Sequence, residues 1–300
     1  MRRFLLTLLV SIACAGACTG AAEADRPAPI AVTPEWLAEH LQDPKLVVLH
    51  VALLRDDYTR EHIPGARFLW PTWFAVTTPD AGYELASVDS LTAVLRRLGV
   101  SNDSEIVLYH VLGDVAGTAR MYVTLDYLGM GERTKILDGG LPAWKAAGRP
   151  VTKDEPKYTP GIFVPNVRQD VVFHLDTMRS RYQSEGTKVI DARSPQEYNA
   201  PDRPTIVRGG HIPGAVNIPY TALFDSLDRY QPLDSIAVKF EKAGIKPGSE
   251  IITYCNSGRT ASPVYLAAKM LGYKVHLYDG SFQEWSRKED LPVEQTKAKK

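Results

Sequence analysis

Three hundred residues exceed what one hydrophobic core usually fills, so two domains are the first expectation. The 35 Lys and Arg residues are balanced by 35 Asp and Glu, which excludes the basic footprint of a nucleic-acid binder. Apolar residues make up 44%, enough for each half to build its own core.

The chain opens on Arg2 and Arg3 ahead of "FLLTLLVSIA", an apolar run of about ten residues, too short to span a bilayer. A basic start, a short apolar stretch and small residues after it read as a secretory leader over residues 1–22. Both "SIAC" and "AGAC" resemble a bacterial lipobox, in which Cys14 or Cys18 would carry a lipid. "ACA" and "AGA" equally suit ordinary signal cleavage. The expectation is an exported bacterial protein, periplasmic or anchored to the membrane as a lipoprotein. Oxidising compartments favour disulfides, yet the body beyond the leader holds a single cysteine, Cys255, with nothing to pair with. A lone thiol of this kind is either buried and inert or kept for its chemistry.

Downstream, "KLVVLHV" at 45–51 reads as a buried strand, followed by "EHIPGARFL" at 61–69. Leu91, Val94, Leu95 and Leu98 then form one apolar helical stripe. The strand "SEIVLYH", the helix "TARMYVTLDYLGM" and the turn "KILDGGLPAW" complete a unit over 30–150. Pro150, Pro156, Pro160 and Pro165 can continue neither a helix nor a central strand, so 151–170 reads as an extended linker. The same five blocks return in the same order within 171–296. They are "TKVIDAR", "GHIPGAVNI", a helix with Ile236, Val238, Phe240 and Ala243, the strand and helix of "SEIITYC" and "SPVYLAAKMLGY", and "VHLYDGSFQEW". Strands alternating with helices imply right-handed crossovers, and therefore an α/β fold in which each domain is a parallel sheet with helices on both faces.

Cys255 ends the strand of the second copy, where ligands of parallel α/β sheets bind. Asn256, Ser257 and Gly258 are small enough for successive backbone N–H groups to converge on one point. Such a nest, backed by the next helix, favours an anion and stabilises thiolate over thiol. Ser262 and Pro263 suit the N-cap and first residue of that helix. Phosphate-ester chemistry through cysteine wants Cys-x5-Arg, but position 261 is Ala and the arginine stands at Cys-x3-Arg. A Cys-x-x-Cys redox pair is absent, and no spacing supports His211 or His276 as a protease-like partner. Attack on a sulfane sulfur, leaving a persulfide on Cys255, fits the remaining pattern.

With these motifs in view, residues 30–296 resemble a tandem-domain rhodanese, a sulfurtransferase of the thiosulfate or 3-mercaptopyruvate type. The carriers are "HIPGA" in both copies, "VIDARSPQEY", "YCNSGRTAS" and the "DGG…W" and "DGS…W" turns. The resemblance implies a six-residue loop of Cys255, Asn256, Ser257, Gly258, Arg259 and Thr260 whose amides hold the persulfide. It implies no metal and no organic cofactor. A small sulfur donor and a thiol or cyanide acceptor are the expected partners. The first copy aligns Tyr109 with Tyr254 and so sets His110 opposite Cys255, making it the inactive partner that helps wall the site. Asn256 and Ser257 stand nearer the mercaptopyruvate pattern. Glu197, however, occupies the place of a carboxylate-binding arginine in that pattern and would repel an anionic donor. Arg203 corresponds approximately to a second such arginine. Arg193, with Asp191, closes a strand and either braces the loop region or meets substrate. His62, His211, Trp144 and Trp285 are expected to pack. Thiosulfate is therefore the favoured donor, with 3-mercaptopyruvate, or a non-catalytic sulfur-carrier lipoprotein, as the alternatives.

Overall fold

The computed structural model describes residues 29–201 and 208–295; Cys14, Cys18 and Arg203 lie outside the described residues. In the first half the strands are β1 (Ala31–Val32), β2 (Leu46–Val51), β3 (Arg67–Leu69), β4 (Ala75–Val76), β5 (Glu84–Leu85), β6 (Glu105–His110) and β7 (Thr134–Leu137). Its helices are α1 (Pro34–His40), α2 (Arg55–Arg60), α3 (Val88–Arg97), α4 (Val115–Tyr127) and α5 (Gly140–Ala146). The second half holds β8 (Val172–Phe173), β9 (Thr187–Asp191), β10 (Val216–Asn217), β11 (Glu250–Tyr254) and β12 (Lys274–Tyr278). Its helices are α6 (Leu175–Arg181), α7 (Pro195–Tyr198), α8 (Leu233–Lys242), α9 (Ser262–Met270) and α10 (Ser281–Trp285).

Two five-stranded parallel sheets result, β1-β7-β6-β2-β3 and β10-β9-β11-β12-β8. Their central strands are rich in Val, Ile and Leu and buried on both faces, as a parallel sheet covered by helices requires. The order is equivalent in the two halves, and so are the details. The hydroxyl of Tyr109 accepts the Ile63 N–H at 3.1 Å, and that of Tyr254 accepts the Ile212 N–H at 3.1 Å. His62 stacks on Tyr58 and His211 on Tyr198, each taking part in a hydrogen bond with its partner's carbonyl. Trp144 and Trp285 are fully buried and donate to Pro150 and Pro292. These histidines and tryptophans hold each half together around the "HIPGA" turn, and truncating a buried tryptophan of this kind costs about 3–5 kcal/mol.

Several local expectations change in the folded chain. Leu91, Leu95 and Leu98 are buried, whereas Val238 of α8 faces solvent and only Ile236 and Phe240 anchor that helix. Every residue of α4 is buried, because this helix is clamped between its own sheet and α9 of the other domain. Ser262 is the first helical residue and not the N-cap; its hydroxyl donates to the Gly258 carbonyl at 3.0 Å. The linker is pinned to the first domain by Gly161 N–H to Arg96 (2.7 Å), Asn166 N–H to Leu128 (3.1 Å) and the buried Phe163.

The domains meet reciprocally. Asp279, in the turn after β12, accepts the Leu85 N–H of the first domain at 2.8 Å. Asp138, in the corresponding turn after β7, accepts the Tyr230 N–H of the second at 3.0 Å. Between α4 and α9, the buried Asp126 takes the Tyr265 hydroxyl at 2.6 Å, Arg168 at 3.0 Å and Lys269. Arg120 of α4 forms an ion pair with Asp279, both side chains fully buried. Removing one member of such a pair strands the other charge and costs about 3–5 kcal/mol.

Candidate active site

Cys255 follows β11 at the carboxyl end of the second sheet and is 1% exposed. Its N–H donates to Ser281 Oγ at 3.2 Å, and its carbonyl accepts the Phe282 N–H at 2.9 Å. The next carbonyl, of Asn256, accepts the Gln283 N–H at 3.0 Å. The start of the loop is thereby fastened to α10. Ser281 adopts φ +54, an uncommon left-handed conformation for a residue with a Cβ, and its hydroxyl also donates to Tyr278.

Gly258 turns the loop at φ +80, and a Cβ there would lie 2.9 Å from both Arg120 Nη1 and the Asp279 carbonyl. Only glycine fits. From Asn256 to Ala261 the backbone N–H groups donate to no group among the described residues. Next to the thiol the chain therefore presents a run of uncommitted amide donors at the amino end of α9, a cradle for negative charge.

The flanking charges are specific. Asn256 donates to Glu197 Oε1 at 2.6 Å, while Glu197 Oε2 closes a capping box with Ser194 at the start of α7. Burial would raise the Glu197 pKa, but hydrogen bonds from Ser194 and Asn256 outweigh it and hold the carboxyl below its ordinary range. An ionised carboxylate thus stands beside the loop. Arg259 forms an ion pair with Asp114 of the first domain. Burial raises the Asp114 pKa, and Arg259 pulls it the other way. Asp114, Arg120, Asp279 and Ser281 escaped the reading of the sequence. Aligning the repeats on Tyr109 and Tyr254 was the one signal at hand, because it sets Asp114 opposite Arg259 with opposite sign.

Arg193 is directed inward: it pairs with Asp191, donates to the Gly210 carbonyl at 2.8 Å and lies 4.0 Å over the Phe282 ring. Its guanidinium also lies 5.8 Å over the ring of Tyr254, the residue before Cys255, so it braces the end of β11. His276 commits its ring to Asp170 and Glu250, the latter at the opposite end of β11 from Cys255. Ser257 and Thr260 are half-buried along the loop.

The corresponding loop of the first domain has no thiol, and part of its run of amides is already engaged. His110 is buried at the cysteine position, and burial lowers its pKa to about 4, with Asp228 opposing. The N–H of Gly113, equivalent to Gly258, is taken by the Asp228 carboxylate of the second domain at 2.6 Å. A cleft of about 380 Å³ nearby is lined by Asp57, Arg60, Glu61, Val111, Leu112 and Lys145 among others, with no thiol among them.

The Rhodanese-like domain family matches residues 33–147 and 174–288, one match per half. The chain belongs to the rhodanese family. It is 33% identical over 268 residues to the thiosulfate sulfurtransferase of Azotobacter vinelandii, covering 89% of this chain and 97% of that one. To the 3-mercaptopyruvate sulfurtransferase of Escherichia coli K12 it is 31% identical over 280 residues, covering 89% and 98%. In fold it also matches the anaerobic ergothioneine biosynthesis enzyme of Chlorobium limicola, with TM-score 0.78, 24% identity and coverage of 89% and 70%. This rhodanese is a sulfurtransferase, built as two rhodanese-like domains of α/β fold.

Proposed function

We propose that the chain transfers sulfane sulfur through Cys255, with thiosulfate as the favoured donor. The Cys255 thiolate attacks the outer sulfur of thiosulfate. The S–S bond of the donor breaks, and sulfite leaves with the electron pair. The terminal sulfur of the resulting persulfide is then attacked by cyanide or a thiolate, which regenerates the thiolate and releases thiocyanate or a new persulfide. The uncommitted amides from Asn256 to Ala261 carry this reading, since they stabilise anionic sulfur before, during and after transfer. No step requires a metal or an organic cofactor.

The donor preference rests on Glu197. Its carboxylate is hydrogen-bonded to Asn256 and takes the sequence place of the arginine that the mercaptopyruvate pattern uses for the substrate carboxylate. Asn256 and Ser257, and the Escherichia coli relative, favour 3-mercaptopyruvate as the second reading. The leader over 1–22 supports export, with lipidation at Cys14 or Cys18; labelling with a palmitate analogue tests it.

The decisive experiment is intact mass after incubation with thiosulfate. The native protein gains one sulfur atom and loses it on addition of cyanide, while Cys255→Ser gains none. Sulfur uptake by Cys255→Ser would refute the mechanism, and a persulfide that never turns over would identify a carrier. Comparing kcat/KM for thiosulfate and 3-mercaptopyruvate decides the donor.

A further inference from the structure

Arg259 and Asp114 occupy equivalent places in the two copies of one loop, five residues after Tyr254 and Tyr109. They are 145 residues apart in the chain and pair across the domain junction. The Asp114 side chain is 11% exposed and that of Arg259 30%, so the pair lies at the rim of the loop and is only partly screened. Other charges around the loop are already compensated or negative: Arg120 is matched by Asp279, and Glu197 lies on Asn256. The Arg259 guanidinium is consequently the cation most able to draw an anion to the amide cradle, and the silent domain holds it.

We propose that Asp114 is a positioning residue for donor selection: by holding Arg259 it lowers the attraction of the Cys255 loop for anionic sulfur donors. The domain without a nucleophile thus tunes the charge of the domain that has one. This inference rests on the sulfur-transfer reading of Cys255. Under it, the thiosulfate dianion gains less over donors of low charge than an unpaired Arg259 would give it, because one carboxylate of the other domain holds that charge.

The test frees the guanidinium with Asp114→Asn and reads the loop in two ways. First, Cys255 is alkylated with iodoacetate, an anion, and with iodoacetamide, its neutral counterpart; the ratio of rates should rise about three- to tenfold, as expected for one released charge several ångströms away in a partly screened site. Second, the KM for thiosulfate should fall by more than the KM for a monoanionic alkanethiosulfonate. In an Arg259→Val background there is no guanidinium to release, and the same Asp114→Asn change should move the alkylation ratio about twofold or less. An unchanged ratio overturns the proposal. So does an equal change in both backgrounds, or a lower melting temperature without a change in ratio. Asp114→Ser carries the same test if the Asn variant fails to fold. If the native protein never takes sulfur from thiosulfate, the reading of Cys255 fails on its own, and the alkylation ratio still decides the role of Asp114.

Discussion

Gly258→Ala tests whether the loop is shaped by the domain behind it. Two costs apply to this substitution. A left-handed residue with a Cβ costs about 1–2 kcal/mol. The new methyl would also lie 2.9 Å from the Asp279 carbonyl and from Arg120, whose buried ion pair gives it no room to retreat. Overpacking of this kind adds about 1–3 kcal/mol. Gly113 is the natural control: it turns the loop of the first domain at φ +87, and a Cβ there meets nothing within 4 Å. Gly113→Ala should therefore incur only the backbone cost, about 1–2 kcal/mol, and Gly258→Ala about 2–5 kcal/mol. Urea unfolding of both variants measures the difference, and mass-detected sulfur uptake should slow sharply in Gly258→Ala alone. Equal destabilisation of the two, within about 0.5 kcal/mol, would refute the claim that Arg120 and Asp279 press on the loop.

Two further outcomes follow from the buried histidines. Burial lowers His50 from 6.5 to about 3, with His62 adding to the effect, and lowers His110 to about 4. Below pH 6.5 the unfolded chain binds protons that the folded state refuses, so stability should fall as pH drops from 6.5 and level off only near 3–4. Each tenfold loss of proton affinity on folding corresponds to about 1.4 kcal/mol, which sets an upper scale of about 3 kcal/mol for His110 and more for His50. Urea midpoints between neutral pH and pH 4.5 should show this slope, and His50→Gln should flatten it; a pH-independent midpoint would contradict the assignment. Separately, His110→Cys in a Cys255→Ser background should gain no sulfur from thiosulfate, because Asp228 already holds the Gly113 amide. A mass gain there would show that the first cradle is still usable.

Much of this protein was legible in one dimension. The five repeated blocks, the place of Cys255 between strand and helix and the His110 that stands opposite it all follow from local spacing, because strand alternation, helix stripes and glycine turns are properties of neighbouring residues. The six-residue extent of the loop came from the family resemblance. Local spacing misled where burial depends on a second body. Val238 extends an apolar stripe in the sequence but faces water. The partners that shape the site belong to the tertiary structure alone. Arg259 finds Asp114 across 145 residues, and Gly258 meets Arg120 and Asp279. Docking of the two halves sets Asp114 on Arg259 and Arg120 behind Gly258, and no periodicity within either half encodes which charge will face which. Composition and spacing therefore determined two α/β domains with one thiol beyond the leader, and the resemblance to the rhodanese family added sulfur transfer. Only the docking of the two halves decided that Arg259 meets Asp114 and Asp279 meets Arg120, since charge compensation in a buried interface depends on distances that the chain acquires on folding.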